Sequence, residues 1–175
     1  MGSIWIILLI LAVAAGVIAA LILRNRKQKE RQQYYDAACR IVQEEYLNKV
    51  LRNIPWEDTD LEIRKTMICL KEEHKKGAAF VFDPEQIVNV GRNRKKNELC
   101  LPDAAVSGCH MRFFMYEGRL YGEDLDSSNG TGIRHGRGTV RWLRGESEAL
   151  ESGDRIYIGN ICLKLTVFEC NTASL

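Results

Sequence analysis

From about Leu61 to its C-terminal end the chain reads as short β-prone runs separated by turn residues, and this pattern constrains the fold more than any other feature. The runs cover 65–70, 78–82, 87–90, 98–101, 111–116, 119–122, 139–143, 155–158 and 161–168. Between them stand Asp83-Pro84, Glu117-Gly118, Ser128-Asn129-Gly130, Ser152-Gly153-Asp154 and Gly159-Asn160, each a turn signal. Pro84 also argues against a helix crossing that point, because it removes a backbone donor and restricts the residue before it. Many short strands without a long helix imply an all-β sandwich or barrel. The expectation is a sandwich of two mainly antiparallel sheets.

The residues ahead of this region read differently. Residues 4–23 are 20 consecutive residues without a charge, long enough to span a hydrocarbon core of about 30 Å as a helix. A cleaved signal segment fits less well, because the start Met-Gly-Ser carries no cation. Residues 24–31 then carry five positive charges and one negative. Such a cluster holds its side of a span in the cytoplasm and suits anionic lipid headgroups. The expectation is a single-pass membrane protein with its N-terminus outside and its globular domain cytoplasmic, in a compact design that suits a bacterial plasma membrane. Residues 28–52 contain neither Pro nor Gly and space their apolar residues at three to four, the pattern of an amphipathic helix open to self-association. Asn53-Ile54-Pro55 ends that helix, and Trp56 through Asp60 mark a boundary. The expected organisation is a span over 1–24, a basic and helical linker over 25–56, a sandwich over 57–170 and a tail over 171–175.

Six cysteines, at 39, 69, 100, 109, 162 and 170, stand singly and form no Cys-x-x-Cys pair, so they read as reduced thiols. The three histidines, at 74, 110 and 135, show no metal-ligand spacing with them. No metal and no cofactor is expected. A net charge of +2 gives no reason to expect nucleic acid as a partner.

Three polar clusters fall in the expected turns. Gly91-Arg92 follows the run 87–90, with Arg94, Lys95 and Lys96 close behind. Ser107-Gly108-Cys109-His110 precedes the run 111–116. Ser127-Ser128-Asn129-Gly130-Thr131-Gly132 is the third. Gly-Arg, then Ser-x-x-His, then Asn-Gly-Thr, in this order and spacing, resembles the forkhead-associated (FHA) domain. The stretch from Leu150 to Gly159 also looks like that family's end, so the resemblance covers roughly residues 61–170.

The resemblance implies an FHA-like β-sandwich that reads phosphothreonine. Arg92 would grip the phosphate, Ser107 would donate a hydroxyl, Asn129 would pair with the bound peptide's backbone, and Ser128 would lie near the ligand. Gly91, His110, Gly130 and Thr131 match positions that brace the loops. Physical chemistry supports these roles. A phosphothreonine carries about −1.5 to −2 charge and three strong acceptor oxygens, and a guanidinium presents a planar fork of donors. Arg94, Lys95 and Lys96 would steer an acidic ligand and raise its on-rate. Gly108 departs from the family, which often carries Arg or Asn there, and implies an altered peptide preference.

The implied function is a membrane-anchored adapter that recruits a partner phosphorylated by a Ser/Thr kinase and released by a phosphatase. The alternative is a scaffold that uses the sandwich and the 28–52 helix without phosphate. Catalysis is not expected. Cys109 and His110 are neighbours that point to opposite faces of a strand, and no third group orients the histidine.

Overall fold

The computed structural model describes residues 2–51, 64–73 and 79–171. The expected helix stop at Asn53-Ile54-Pro55, the boundary over 56–60 and the tail beyond 171 lie outside the described residues. Residues up to Ala37 form one compact unit, and those from Ala38 onward form another.

One helix, α1 (Gly2–Leu51), runs without a break through both the apolar stretch and the linker. Among the described residues no helix is long and apolar enough to cross a membrane. From Arg24 the same helix continues into charged residues. This corrects the expected span over 4–23, along with the orientation, the membrane localisation and the lipid contact derived from it.

Eleven strands follow: β1 (Arg64–Glu72), β2 (Ala79–Phe82), β3 (Val88–Gly91), β4 (Leu99–Cys100), β5 (Met111–Tyr116), β6 (Arg119–Asp124), β7 (Thr131–Arg134), β8 (Arg141–Leu143), β9 (Ser147–Ala149), β10 (Arg155–Ile158) and β11 (Ile161–Asn171). They form two sheets, ordered β2-β1-β11-β10-β7-β8 and β4-β3-β5-β6-β9. Every pairing is antiparallel except that of β3 with β4. The sandwich is therefore the expected two-sheet fold.

Strand alternation sets the core. Ile68 and Leu70 on β1, Val88 and Val90 on β3, Met111 and Phe113 on β5, Ile156 and Ile158 on β10, and Leu163 and Leu165 on β11 turn inward and are buried. Met67 and Cys69, on the opposite face of β1, are buried as well. In its C-terminal half α1 contributes Ala38, Cys39 and Val42 as buried residues, and the Cys39 sulfur meets that of Cys170 on β11 at 3.6 Å.

Two strands escaped the sequence reading. β7 begins at the Thr of the Asn-Gly-Thr turn and contains Gly132, so it looks like loop. It nevertheless lies between β8 and β10, with Ile133 fully buried. β9 is the polar tripeptide Ser-Glu-Ala on a sheet edge, where neither an apolar face nor length marks a strand.

Phe113 is fully buried at the centre of β5. Phe113→Ala should cost about 3–5 kcal/mol, because it leaves a cavity between rigid sheets. A fall in the urea midpoint at unchanged slope checks this. A loss under 1 kcal/mol would contradict this core assignment.

Candidate functional site

Three loops meet at one end of the sandwich: β3–β4, β4–β5 and β6–β7. Main-chain bonds join the first two. The Arg92 amide donates to the Ser107 carbonyl at 2.9 Å, and the Asn93 amide to that of Gly108 at 3.1 Å. Gly91 makes this approach possible. A Cβ there would stand 2.5 Å from the Gly108 carbonyl oxygen and 2.9 Å from Asn97 Oδ1. The glycine is needed for close approach rather than for an unusual turn. Asn97, buried on the same side, donates its amide to the carbonyls of Asn93 and Gly108, each at 2.7 Å.

His110 ties the second loop to the third. Its Nδ1 lies 3.0 Å from the Ser107 amide, and its Nε2 lies 3.2 Å from the Gly130 carbonyl. An amide only donates and a carbonyl only accepts. Nδ1 is therefore the acceptor and Nε2 carries the proton, in a neutral ring. Burial holds the His110 pKa below the usual 6.5, although the Gly130 carbonyl and the Asp124 charge pull the other way.

Asp124 organises the third loop. Its carboxylate accepts from the Ser127 hydroxyl at 2.6 Å, the Thr131 hydroxyl at 2.6 Å, the Ser127 amide at 3.0 Å and the Gly145 amide at 3.1 Å. Burial alone would raise its pKa, but these donors outweigh it and hold the group below 3.8. Gly130, at φ +74°, packs against the Leu143 carbonyl, and a Cβ there would come within 2.8 Å of it. Sequence reasoning missed Asp124 and Asn97. The expected strand stopped at Gly122, so Asp124 was not seen as its last inward residue. A carboxylate at a strand end with Ser and Thr three and seven residues on is the signal that would have found it.

The expected ligand-facing residues share this rim. Arg92 is exposed, and among the described residues its guanidinium pairs with no carboxylate. Ser107 Oγ accepts from the Ser128 amide at 3.1 Å and lies 3.5 Å from Ser128 Oγ. Asn129 Nδ2 donates to the Ala105 carbonyl at 2.8 Å, leaving its second N–H and its oxygen free of that bond. Arg94, Lys95 and Lys96 stand exposed on the β3–β4 loop, where Asn93 Oδ1 caps the Lys95 amide at 3.0 Å. Gly108 is exposed, and a Cβ there would meet nothing within 4 Å. Cys109 is exposed while the adjacent His110 is buried, so the two do not form a nucleophile and base. A cationic fork, two hydroxyls and an amide on one rim can donate to an anion with several acceptor oxygens.

Acidification should act on both braces. A proton on His110 binds better to the unfolded chain, so its contribution is intact above pH 6.5 and is lost as pH falls below it. The Asp124 contribution is intact above its ordinary pKa of 3.8 and is lost as pH falls through its lower folded value. Chemical denaturation between pH 8 and 3 should therefore show two losses, and His110→Asn should remove the upper one. Asp124→Asn should cost about 2–3 kcal/mol at neutral pH, since it replaces charged acceptors with a neutral amide.

The family model for the FHA domain matches residues 88–159, a stretch that contains all three loops. No curated protein matches the sequence. Among solved structures, the FHA domain of the CT664 protein from Chlamydia trachomatis superposes with a TM-score of 0.50 at 21% identity, over 58% of this chain and 98% of that one. An Arabidopsis thaliana FHA domain matches at 28% identity with a TM-score of 0.48, over 60% of this chain and 85% of that one. Mycobacterium tuberculosis EmbR, solved with a low-affinity phosphopeptide, matches at 23% identity with a TM-score of 0.49, over 57% of this chain. The match spans only 24% of EmbR's own length. Together with the two mainly antiparallel sheets and the three-loop rim, the family match identifies residues 88–159 as an FHA domain.

Proposed function

We propose that the loop end of this domain binds a threonine-phosphorylated segment of a partner protein, and that the chain works as a phosphorylation-dependent adapter. The observation that carries this reading is exposed Arg92, whose guanidinium pairs with no carboxylate among the described residues and whose amide bonds to the Ser107 carbonyl, on the rim that also holds the hydroxyls of Ser107 and Ser128 and the amide of Asn129. Arg92 grips the phosphate, Ser107 and Ser128 donate to its oxygens, and Asn129 holds the peptide main chain. His110, Asp124 and Asn97 fix the loops beforehand, so little conformational freedom is lost on binding. Arg94, Lys95 and Lys96 give the rim a positive field that speeds encounter with an acidic segment. A Ser/Thr kinase switches the partner on for binding, and a phosphatase releases it. The complex of EmbR with a phosphopeptide supports the ligand class.

The test is fluorescence anisotropy with an oriented phosphothreonine peptide library, followed by titration of its best members. Arg92→Ala should weaken binding by at least about 100-fold, the loss of a bidentate charge-assisted contact, at unchanged thermal stability. Full binding by that variant, or equal binding of the dephosphorylated peptide, would favour a phosphate-independent scaffold instead. Gly108→Arg should raise affinity several-fold, because the position is open and a second fork there reaches the same anion. Replacing Arg94, Lys95 and Lys96 with Gln should slow association and flatten its salt dependence, with little change in dissociation.

A further inference from the structure

Cys39 lies in the C-terminal half of α1 and Cys170 near the end of β11, 131 residues apart in the chain. Their sulfur atoms are 3.6 Å apart, and both residues are buried. Among the described residues no other two cysteine sulfurs are bonded to each other, although four further thiols are free. The two belong to elements that no backbone ladder joins, since β11 pairs with β1 and β10. A disulfide needs the sulfurs at about 2.05 Å, so closure requires an approach of about 1.5 Å.

We propose that Cys39 and Cys170 form a reversible intramolecular disulfide that fastens the segment of α1 around Cys39 to the last strand of the domain. The oxidant is a low-molecular-weight disulfide of the glutathione type. One cysteine thiolate attacks the small disulfide, forming a mixed disulfide and releasing one small thiol. The second cysteine displaces the remaining small thiol and completes the protein disulfide. Two protein thiols are oxidised, one small disulfide is reduced to two thiols, and the two protein protons end on those thiols. Proximity favours the second step. Burial, and then hydrogen bonding and charge from Cys39, push the Cys170 thiol up to about 11, so the first step is slow at neutral pH and quickens as pH rises. Exposed Cys109 takes up the small thiol sooner, and among the described residues its sulfur is bonded to no other cysteine.

The clip leaves the ligand rim alone. Ile161, which pairs with Ile158 at the rim end of β10, lies nine residues before Cys170, roughly 30 Å along an extended strand. Oxidation should therefore change how firmly residues 38–42 are held without changing peptide affinity.

The test uses the full chain equilibrated with oxidised glutathione at graded ratios. Beyond any glutathione adduct at Cys109, intact mass should fall by two hydrogens, and digestion without reduction should yield one linked pair of peptides containing Cys39 and Cys170. Dithiothreitol should reverse both. Cys39→Ser and Cys170→Ser should each abolish the linked pair. Hydrogen exchange of amides 38–42 should slow at least tenfold on oxidation. The unfolding midpoint should rise, because closing so long a loop restricts the unfolded chain. Only glutathione adducts, or a linkage between other cysteines, would overturn the proposal. So would two intact thiols that persist even in urea just below the unfolding midpoint. Phosphopeptide titration of the oxidised and reduced chains separates this result from the adapter reading: loss of binding in both forms counts against the adapter alone.

Discussion

The rim of this domain rests on a buried, uncharged imidazole. His110 is held by its main chain between two segments, since its amide donates to the Val90 carbonyl and its carbonyl accepts from the Leu125 amide, both at 2.9 Å. Its ring then spans from the Ser107 amide to the Gly130 carbonyl. One residue so connects β3, the start of the β6–β7 loop and both hydroxyl-bearing loops. The arrangement works only while Nδ1 can accept. A protonated ring would aim a donor at an amide, and the Ser107 loop would lose its anchor. Neutrality is therefore a structural requirement, and burial enforces it by disfavouring the charged form.

Asp124 follows the opposite logic. A buried carboxylate is costly unless its lone pairs are filled, and here two hydroxyls and two amides fill them. Because three of those donors come from Ser127 and Thr131, the same charge that needs stabilising also shapes the loop that carries Ser128 and Asn129. The charge stays inside as a brace. The charges on Arg92, Arg94, Lys95 and Lys96 stay outside, and among the described residues no carboxylate pairs with them. A reversal of these positions would leave an unpaired buried cation and a rim that repels phosphate.

This division also explains what the sequence disclosed. Strands such as Met111–Tyr116 and Arg155–Ile158 were legible at their true bounds, because alternation and flanking turns mark them. β7 was hidden because Gly132 in a strand reads as turn, yet a Cβ there would crowd Val140, Tyr157 and Trp142. The glycine serves packing. Gly91 was legible as a required glycine, but for a different reason: the Gly108 carbonyl fills the space that a side chain would take. Such approaches between loops distant in sequence leave no local trace. The apolar stretch near the N-terminus carried a strong local signal as well. Length and hydropathy alone led to a membrane span that the described helix does not sustain.

The rim's free-state bonds show how a ligand would be accommodated. The Ser107–Ser128 hydroxyl contact, at 3.5 Å, lies at the long limit for such a bond. Trading it for a charged acceptor would cost little and gain a shorter, charge-assisted bond. The Ser128 amide bond to Ser107 Oγ, at 3.1 Å, is sound, and it fixes that oxygen without consuming its proton. Asn129 likewise spends one amide hydrogen on Ala105 and keeps the other. Each group assigned to the ligand is thus held by one part of its hydrogen-bonding capacity and available through another. Among the described residues the Arg92 side chain bonds to no carboxylate, while its main chain is pinned to Ser107. Binding would then order one guanidinium and exchange one weak hydroxyl contact, on loops already held by His110, Asp124 and Asn97.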